Sequence, residues 1–341
     1  MFLQRFFSSF GENIAMDLGT ANTLLYTKSA GIAVNEPSVV AMDVHKGTVL
    51  AVGRAAKDFL GRTPQRIRAI RPMKDGVIAD FEVTREMIAF FVRKVIKGFR
   101  IIKPSMAICI PTGITQVEKR AVIESGMDAG AREVLLIEEP MAAAIGANLP
   151  VLEPQGNLVL DIGGGTSEVA VITLSAIAHY ESVRVAGDVM DRAVQRYVRD
   201  VFRLEIGDNT AENVKKLIGC AIPMPDAPVI EVSGKDISLG TPKVIRLTEG
   251  HVREALKEPI QTIIDAIFRA LEKTPPELAG DIYRNGMLIA GGGALIRGLD
   301  RRIAEVTKLN VVVDAEPLTT VLRGTARAME DKERFGGVFI N

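Results

Sequence analysis

One short pattern occurs twice in this chain, and it limits the fold more than any other feature. IAMDLGTANTLLY (14–26) lies residue for residue on LVLDIGGGTSEVA (158–170). Each copy reads as an apolar run, an aspartate, an apolar residue, a glycine, small polar residues and a second apolar run. That is a strand, a tight turn and a second strand. The separation between the copies is far too long for a solenoid, so the repeat points to two duplicated lobes.

The rest of the chain agrees with α/β lobes. Short apolar runs alternate with helical stretches, the signature of strands interleaved with helices. Besides the two repeats (strands Ile14–Asp17, Thr23–Thr27, Leu158–Asp161 and Glu168–Thr173), strands are expected at Ala107–Pro111, Leu135–Ile137, Met287–Ala290 and Val311–Val313. Helices are expected at Arg85–Lys97, Gln116–Ala129, Pro140–Ala147, Asp188–Phe202, Ala211–Ile218, Thr248–Leu271, Leu299–Thr307 and Thr319–Glu330. Two stretches break this rhythm. Gly31–Arg71 and Cys220–Ile245 read as small subdomains inserted into their lobes. A length of 341 residues suits two lobes.

Chemistry concentrates at the two repeated turns. A polyphosphate needs many N–H donors and no bulky side chains, and consecutive glycine-rich N–H groups form an anion-binding nest. Gly19, Thr20, Ala21 and Asn22 supply one such turn, and Gly163, Gly164, Gly165, Thr166 and Ser167 the other. Asp17 and Asp161 precede them at strand ends. Two carboxylates facing one Mg·ATP can hold the water shell that Mg²⁺ retains. An ordinary hairpin uses the same residue types, so the pair in matching context carries the inference, not either turn alone. No GxxxxGK[ST] occurs, which excludes a P-loop.

Two further segments fit such a site. Gly291, Gly292 and Gly293 follow a strand and suit either an adenine lying on bare backbone or a plain strand-to-helix turn. IEEPMAAAIG (137–146) sets two acids and a first-turn proline before a small-residue helix, which suits a close helix crossing between lobes. An acid there can orient water against a γ-phosphate, and acids at helix N-termini also occur for dipole reasons.

Other classes are disfavoured. Lys plus Arg and Asp plus Glu are 42 each, so the net charge gives no electrostatic case for nucleic acid. Cys109 and Cys220 lie in apolar surroundings without metal-ligand spacing and read as buried thiols. No apolar run is long enough to span a bilayer. The start is unusual, however. Four of the 13 phenylalanines fall in the first ten residues. Phe2, Leu3, Phe6, Phe7 and Phe10 cover about 140° of a helical wheel. The favoured reading is an amphipathic helix lying in a membrane surface; the other is an arm packed on a neighbouring surface. Phe99, Ile101 and Ile102 form a second apolar patch, either membrane-facing or partly buried.

Taken in order, DLGTANT, IEEPMAAAIGA, DIGGGTSEVAV and IAGGGALI resemble the phosphate, connecting and adenosine motifs of the actin, DnaK-type chaperone and sugar-kinase superfamily. The wording is closest to the MreB family of bacterial actin-like proteins, and IRPMKDGVIADFEVT (70–84) and VTKLNVVVDAEPLTTV (306–321) strengthen that resemblance. It covers essentially the whole chain. It implies an actin-like ATPase fold with the nucleotide between two lobes. The implied division is a helix at 1–10; one lobe core at 11–31, 72–139 and 316–341 with an insert at 32–71; and a second core at 140–182 and 246–315 with an insert at 183–245.

The resemblance also implies roles. Asp17 and Asp161 hold Mg²⁺ through water. Gly19 to Asn22 and Gly163 to Thr166 line the phosphates of ATP or ADP. Glu139, rather than Glu138, polarises the attacking water with help from Thr166. Gly291 to Gly293 cradle the adenosine, and Glu212, Lys215 and Lys216 reach ribose and adenine. It implies a slow ATPase that polymerises, as paired protofilaments, on the inner face of the cytoplasmic membrane and maintains cell shape with elongation proteins such as RodZ, MreC and MreD. The other reading is a soluble ATPase of the same superfamily, a chaperone-type ATPase or a small-molecule kinase. One departure is Arg323, a large residue just before the glycine of the second connecting motif.

Overall fold

The computed structural model describes residues 12–96, 103–224, 226 and 228–340. The membrane residues expected at Phe2, Leu3, Phe6, Phe7, Phe10, Phe99, Ile101 and Ile102 lie outside the described residues.

Lobe I is built on β1 (Ile14–Leu18), β2 (Asn22–Thr27) and β3 (Gly31–Pro37), an antiparallel meander. A small layer follows: β4 (Val40–Asp43), β5 (Thr48–Val52), α1 (Arg54–Lys57) and β6 (Ile67–Ile70), with its strands in the order β5-β4-β6. A hairpin, β7 (Met73–Lys74) and β8 (Val77–Ile78), leads into α2 (Phe81–Val95), β9 (Ser105–Ile110), α3 (Gln116–Asp128) and β10 (Glu133–Glu138). Strands β9 and β10 extend the sheet in parallel, giving the order β10-β9-β1-β2-β3.

Helix α4 (Glu139–Gly146) crosses to lobe II, which opens with β11 (Asn157–Ile162), β12 (Ser167–Thr173) and β13 (Ala176–Val183). Then come α5 (Gly187–Phe202), β14 (Leu204–Glu205), α6 (Asp208–Ile218), β15 (Ile230–Asp236) and β16 (Pro242–Leu247). The chain continues through α7 (Glu249–Glu272), α8 (Pro276–Asn285), β17 (Met287–Ala290), α9 (Leu299–Thr307) and β18 (Val311–Val313), and α10 (Thr320–Glu330) returns to lobe I. The second sheet runs β13-β12-β11-β17-β18, again a meander extended by two parallel strands. The duplication legible in the turns therefore covers both whole sheets.

The helices start where local chemistry places them. Asp80 accepts a hydrogen bond from the Val83 amide at 3.1 Å, so α2 begins at Phe81, a turn before the expected Arg85. Thr115 and Glu118 form a capping box on α3. Helix α8, absent from the sequence expectations, opens on Pro276, where a missing N–H costs nothing. On α2 the residues Val83, Met87, Ile88, Phe91 and Val92 face the lobe I core. Burying each such side chain is worth about 1.5–3 kcal/mol. The segment expected to be inserted from residue 32 gives its first strand, β3, to the main sheet, and the small layer begins beyond it.

The lobes are joined where α4 meets α10. A Cβ added to Gly324 would overlap the Ala142 carbonyl oxygen, and one added to Gly146 would overlap that of Thr320. Only glycine at both positions permits this crossing. Arg323 does not intrude on it. The guanidinium pairs with Asp314 at 2.6 Å and Glu316 at 3.5 Å. Among the described residues no helix is long and apolar enough to cross a membrane.

Candidate functional site

The duplicated turns face each other across the cleft. Gly19 N–H donates to Asn22 O at 3.1 Å, and Gly163 N–H donates to Thr166 O at 2.9 Å, so the two turns close in the same way. They also touch. A Cβ on Gly164 would stand 2.7 Å from Ala21 Cβ, and one on Gly165 would stand 2.7 Å from Thr20 Oγ1. Side chains at either glycine would hold the lobes apart.

Between the turns lies a cavity of about 560 Å³. Asp17, Gly19, Thr20, Ala21, Asn22 and Glu139 line it from lobe I and the connecting helix. Asp161, Gly163, Gly164, Gly165, Thr166, Glu212, Lys215, Lys216, Gly291, Gly292 and Gly293 line it from lobe II. Apart from Ser167, which is buried and donates to Val185 O at 2.6 Å, every sequence-predicted residue for nucleotide, metal and catalysis thus borders one space. Glu139 lines the cavity; Glu138 does not. The glycines 291–293 follow β17 and enter a 3₁₀ turn beside the pocket.

The floor is strongly acidic. Burial pushes Asp17 up to about 6, against the Cys109 thiol, which lowers it. Burial, then Asp17 and Glu168, pushes Asp161 up to about 8. Burial followed by the charges of Glu168, Asp161 and Asp17 holds Glu139 well above the usual carboxylate range. Behind the lining, outside the cavity itself, burial carries Glu168 to about 7 despite hydrogen bonds from Thr112 and Ser182. Among the described residues no lysine or arginine pairs with any of the four acids.

This donor set fits a hard divalent cation. Asp161 Oδ1 is buried and lacks a hydrogen-bond partner, and an unpaired buried carboxylate oxygen is costly. The facing groups are carboxylates, the ligands Mg²⁺ accepts directly or through water. Cys109 Sγ also lies within 4.8 Å of ligand atoms of Asp17 and Glu139. It donates to Met16 O at 3.5 Å and to Asp17 Oδ1 at 3.4 Å, and burial holds the thiol well above its ordinary value, so it stays a neutral donor beneath Asp17. Both cysteines are free and buried, as expected.

At the mouth, several charged residues went unread in the sequence. Lys57 of α1 reaches across to Glu212 of α6 at 2.6 Å, and Arg71 reaches Asp188 of α5 at 3.8 Å. Lys216 also holds Glu212 at 2.6 Å, while Lys215 pairs with Asp191 at 2.8 Å and donates to Gly187 O at 2.9 Å. Glu212 and Lys215 thus border the cavity already engaged. Lys57, Arg71, Asp188 and Asp191 come from ordinary charged faces, and nothing in their spacing sets them apart. Only their shared placement does.

With this geometry in place, similarity to known proteins decides the family. The sequence profile described as MreB/Mbl protein matches residues 11–336. The chain belongs to the MreB/Mbl family. Within that family it is 50% identical to the cell shape-determining protein MreB of Escherichia coli K12 over 340 residues, covering 98% of each chain. It matches MreB 5 of Spiroplasma citri bound to AMPPNP with a TM-score of 0.91 at 35% identity, covering 95% of this chain and 97% of that one. The MamK double helical filament shares the fold, with a TM-score of 0.81 at 22% identity over 94% of this chain and 98% of that one. The fold is accordingly actin-like, with two duplicated α/β lobes around the cleft. Membership in this family sets aside the other reading, a chaperone-type ATPase or small-molecule kinase.

Proposed function

We propose that this chain binds ATP with Mg²⁺ between its lobes, hydrolyses it slowly, and assembles into filaments on the inner face of the cytoplasmic membrane that determine cell shape. The observation that carries this reading is the cavity of about 560 Å³ in which both glycine turns converge on three acids, Asp17, Glu139 and Asp161. Full-length similarity to cell shape-determining MreB and the nucleotide-bound form of its S. citri relative support it.

The residues divide the work. Backbone N–H groups of Gly19 to Asn22 and Gly163 to Thr166 would donate to phosphate oxygens from two sides. Asp17 and Asp161 would hold the metal's water shell, and the bound cation supplies positive charge that offsets phosphates and acids together. Glu139 sits at the first turn of the connecting helix and borders the same space. As an ionised carboxylate it would accept a hydrogen bond from the attacking water, which the Thr166 hydroxyl helps to place. Gly291 to Gly293 border the cavity and would cradle adenosine against backbone. Glu212, Lys215 and Lys216 border the same cavity and would reach ribose and adenine, so nucleotide would compete with the ion pairs they now make.

The glycine-limited crossing of α4 and α10 makes the relative angle of the lobes the property that nucleotide would adjust. A subunit whose lobe angle depends on nucleotide can assemble in one state and release in another. The N-terminal apolar residues would add a modest membrane attraction per subunit, and a filament would multiply it through effective concentration. The proteins RodZ, MreC and MreD would meet the filament at that surface.

Sedimentation tests the reading. The full chain should pellet with ATP and Mg²⁺ and release phosphate. It should also co-sediment with vesicles of phosphatidylethanolamine and phosphatidylglycerol, and removal of residues 1–10 should abolish vesicle binding. A protein that stays in the supernatant with every nucleotide and releases no phosphate contradicts it.

A further inference from the structure

Lobe II buries an acid that its duplicate lacks. In the strand registers Asp17 faces Leu24 across β1 and β2, and Asp161 faces Glu168 across β11 and β12. Leu24 and Glu168 are therefore equivalent positions of the two repeats. Both are buried, Leu24 5% exposed and Glu168 0%. A leucine needs no explanation there. A carboxylate does, because taking it out of water is unfavourable unless its oxygens are satisfied.

The satisfaction comes mainly from the other lobe. The Thr112 N–H donates to Glu168 Oε1 at 3.2 Å and Oε2 at 3.1 Å, and Thr112 Oγ1 donates to Oε2 at 3.2 Å. Ser182 Oγ, on β13 of lobe II, donates to Oε1 at 3.1 Å. Thr112 stands in the loop after β9. Its neighbour Gly113 has φ of +77° and lies against the ring of Tyr180 on β13, where a Cβ would stand only 2.5 Å from the hydroxyl. This loop of lobe I thus lies against the lobe II sheet, with Glu168 as its anchor.

The loop in turn bears on the reacting side of the cavity. Pro111 packs against Gly76, the turn of the β7–β8 hairpin, whose sequence carries family resemblance but has no role so far. A Cβ on Gly76 would meet Thr166 Cγ2 at 2.9 Å and Pro111 Cγ at 3.1 Å. The Gly76 N–H donates to Thr20 Oγ1 at 3.1 Å. Contacts therefore run from Glu168 through Thr112 and Pro111 to Gly76, and from there to one threonine on each phosphate turn.

We propose that Glu168 is a positioning residue for hydrolysis, tying the Pro111–Gly113 loop of lobe I to lobe II and so fixing Thr166 in its place against the hairpin turn at Gly76. Glu168 does not border the cavity and would not touch nucleotide. The inference rests on the proposed ATPase reading and names a part of it that the phosphate and metal residues do not supply.

Glu168→Leu installs the residue that the duplicate strand already accommodates. Glu168→Gln keeps an acceptor for Thr112 and a donor for Ser182. Single-turnover phosphate release, the ATP dissociation constant and hydrogen exchange of the Thr112 amide are measured on the full chain. Glu168→Leu should slow release at least tenfold, leave ATP affinity within threefold, and speed Thr112 exchange at least tenfold. Glu168→Gln should keep release within threefold of wild type. If Glu168→Leu does not fold, Thr112→Val removes one hydrogen bond of the tie and should slow release at least threefold with affinity unchanged. Wild-type release rates in Glu168→Leu, or in Thr112→Val where that variant stands in, overturn the proposal. So does a Glu168→Gln variant as slow as Glu168→Leu, or a parallel loss of affinity and rate. A wild-type chain that binds ATP but releases no phosphate overturns the ATPase reading instead, and Thr112 exchange then still reads the tie.

Discussion

Asp161 bears the largest resolved cost among the turn residues. One of its oxygens is buried without a donor, and its carboxyl is pushed up to about 8 by burial and by Asp17 and Glu168. In the unfolded chain the same group ionises near its ordinary 3.8. The folded state therefore binds an extra proton between those values. Stability from this group is fully present below about pH 4 and is lost as pH rises through about 8. The nucleotide-free protein should lose thermal stability across that window, and Asp161→Asn should flatten the loss and melt above wild type at pH 8. A thermal-shift series in pH checks both. Glu212 has the opposite sign. Burial resists its ionisation, but hydrogen bonds from Lys216 and Lys57 prevail and lower it to about 2, so its contribution persists until strongly acid pH. At this scale Asp17, Asp161 and the glycines of the two turns were legible because one Asp-and-Gly pattern is written twice, whereas Glu139 came from the acids before Pro140 and the family resemblance. Glu168 was written inside that pattern too, but it reads as an ordinary polar residue on a strand until Leu24 is seen opposite the equivalent aspartate.

Elements decide how the lobes meet. Gly324 and Gly146 allow α10 and α4 to cross in backbone contact. Gly324→Ala should force the helices apart and destabilise the fold by about 1–3 kcal/mol or more, read from urea unfolding. It should also weaken nucleotide binding, because both lobes contribute to the cavity. On the far side of the cleft, α1 and α6 are clasped by Lys57 and Glu212, whose side chains are only 28% and 19% exposed. Lys57→Ala should leave folding nearly unchanged, as partly exposed ion pairs contribute little. It should speed release of a fluorescent ADP analogue by about threefold, the factor that roughly 0.7 kcal/mol supplies. The small-residue sequence before Gly146 announced a close crossing. The clasp was hidden, because Lys57 and Glu212 are distant in sequence and each looks like a solvated helix residue.

The whole molecule is one sheet plan used twice, with the ligand space where the copies meet. Duplication explains why so much of the architecture was readable: eight expected strands and eight expected helices recur in the structure, with ends shifted by a few residues. Strands β3 and β13 escaped because they complete meanders whose turn signals dominate, and β13 alternates between exposed and partly buried positions like a surface ribbon. What the duplicate copies do not share is more informative for function. Lobe II carries an acid where lobe I has Leu24, and lobe I sets the Cys109 thiol beside its aspartate where lobe II has Ala290. A symmetric clamp would hold phosphate; under the proposed ATPase reading, this asymmetry would also serve to orient the reaction. The central claim, that paired turns and buried acids form one Mg·ATP site, is tested by titration calorimetry of the full chain with ATP, with and without Mg²⁺, for wild type and Asp161→Asn. The account predicts one site per chain that requires Mg²⁺ and weakens at least tenfold, about 1.4 kcal/mol, in the variant. Affinity indifferent to both the cation and the substitution would contradict it.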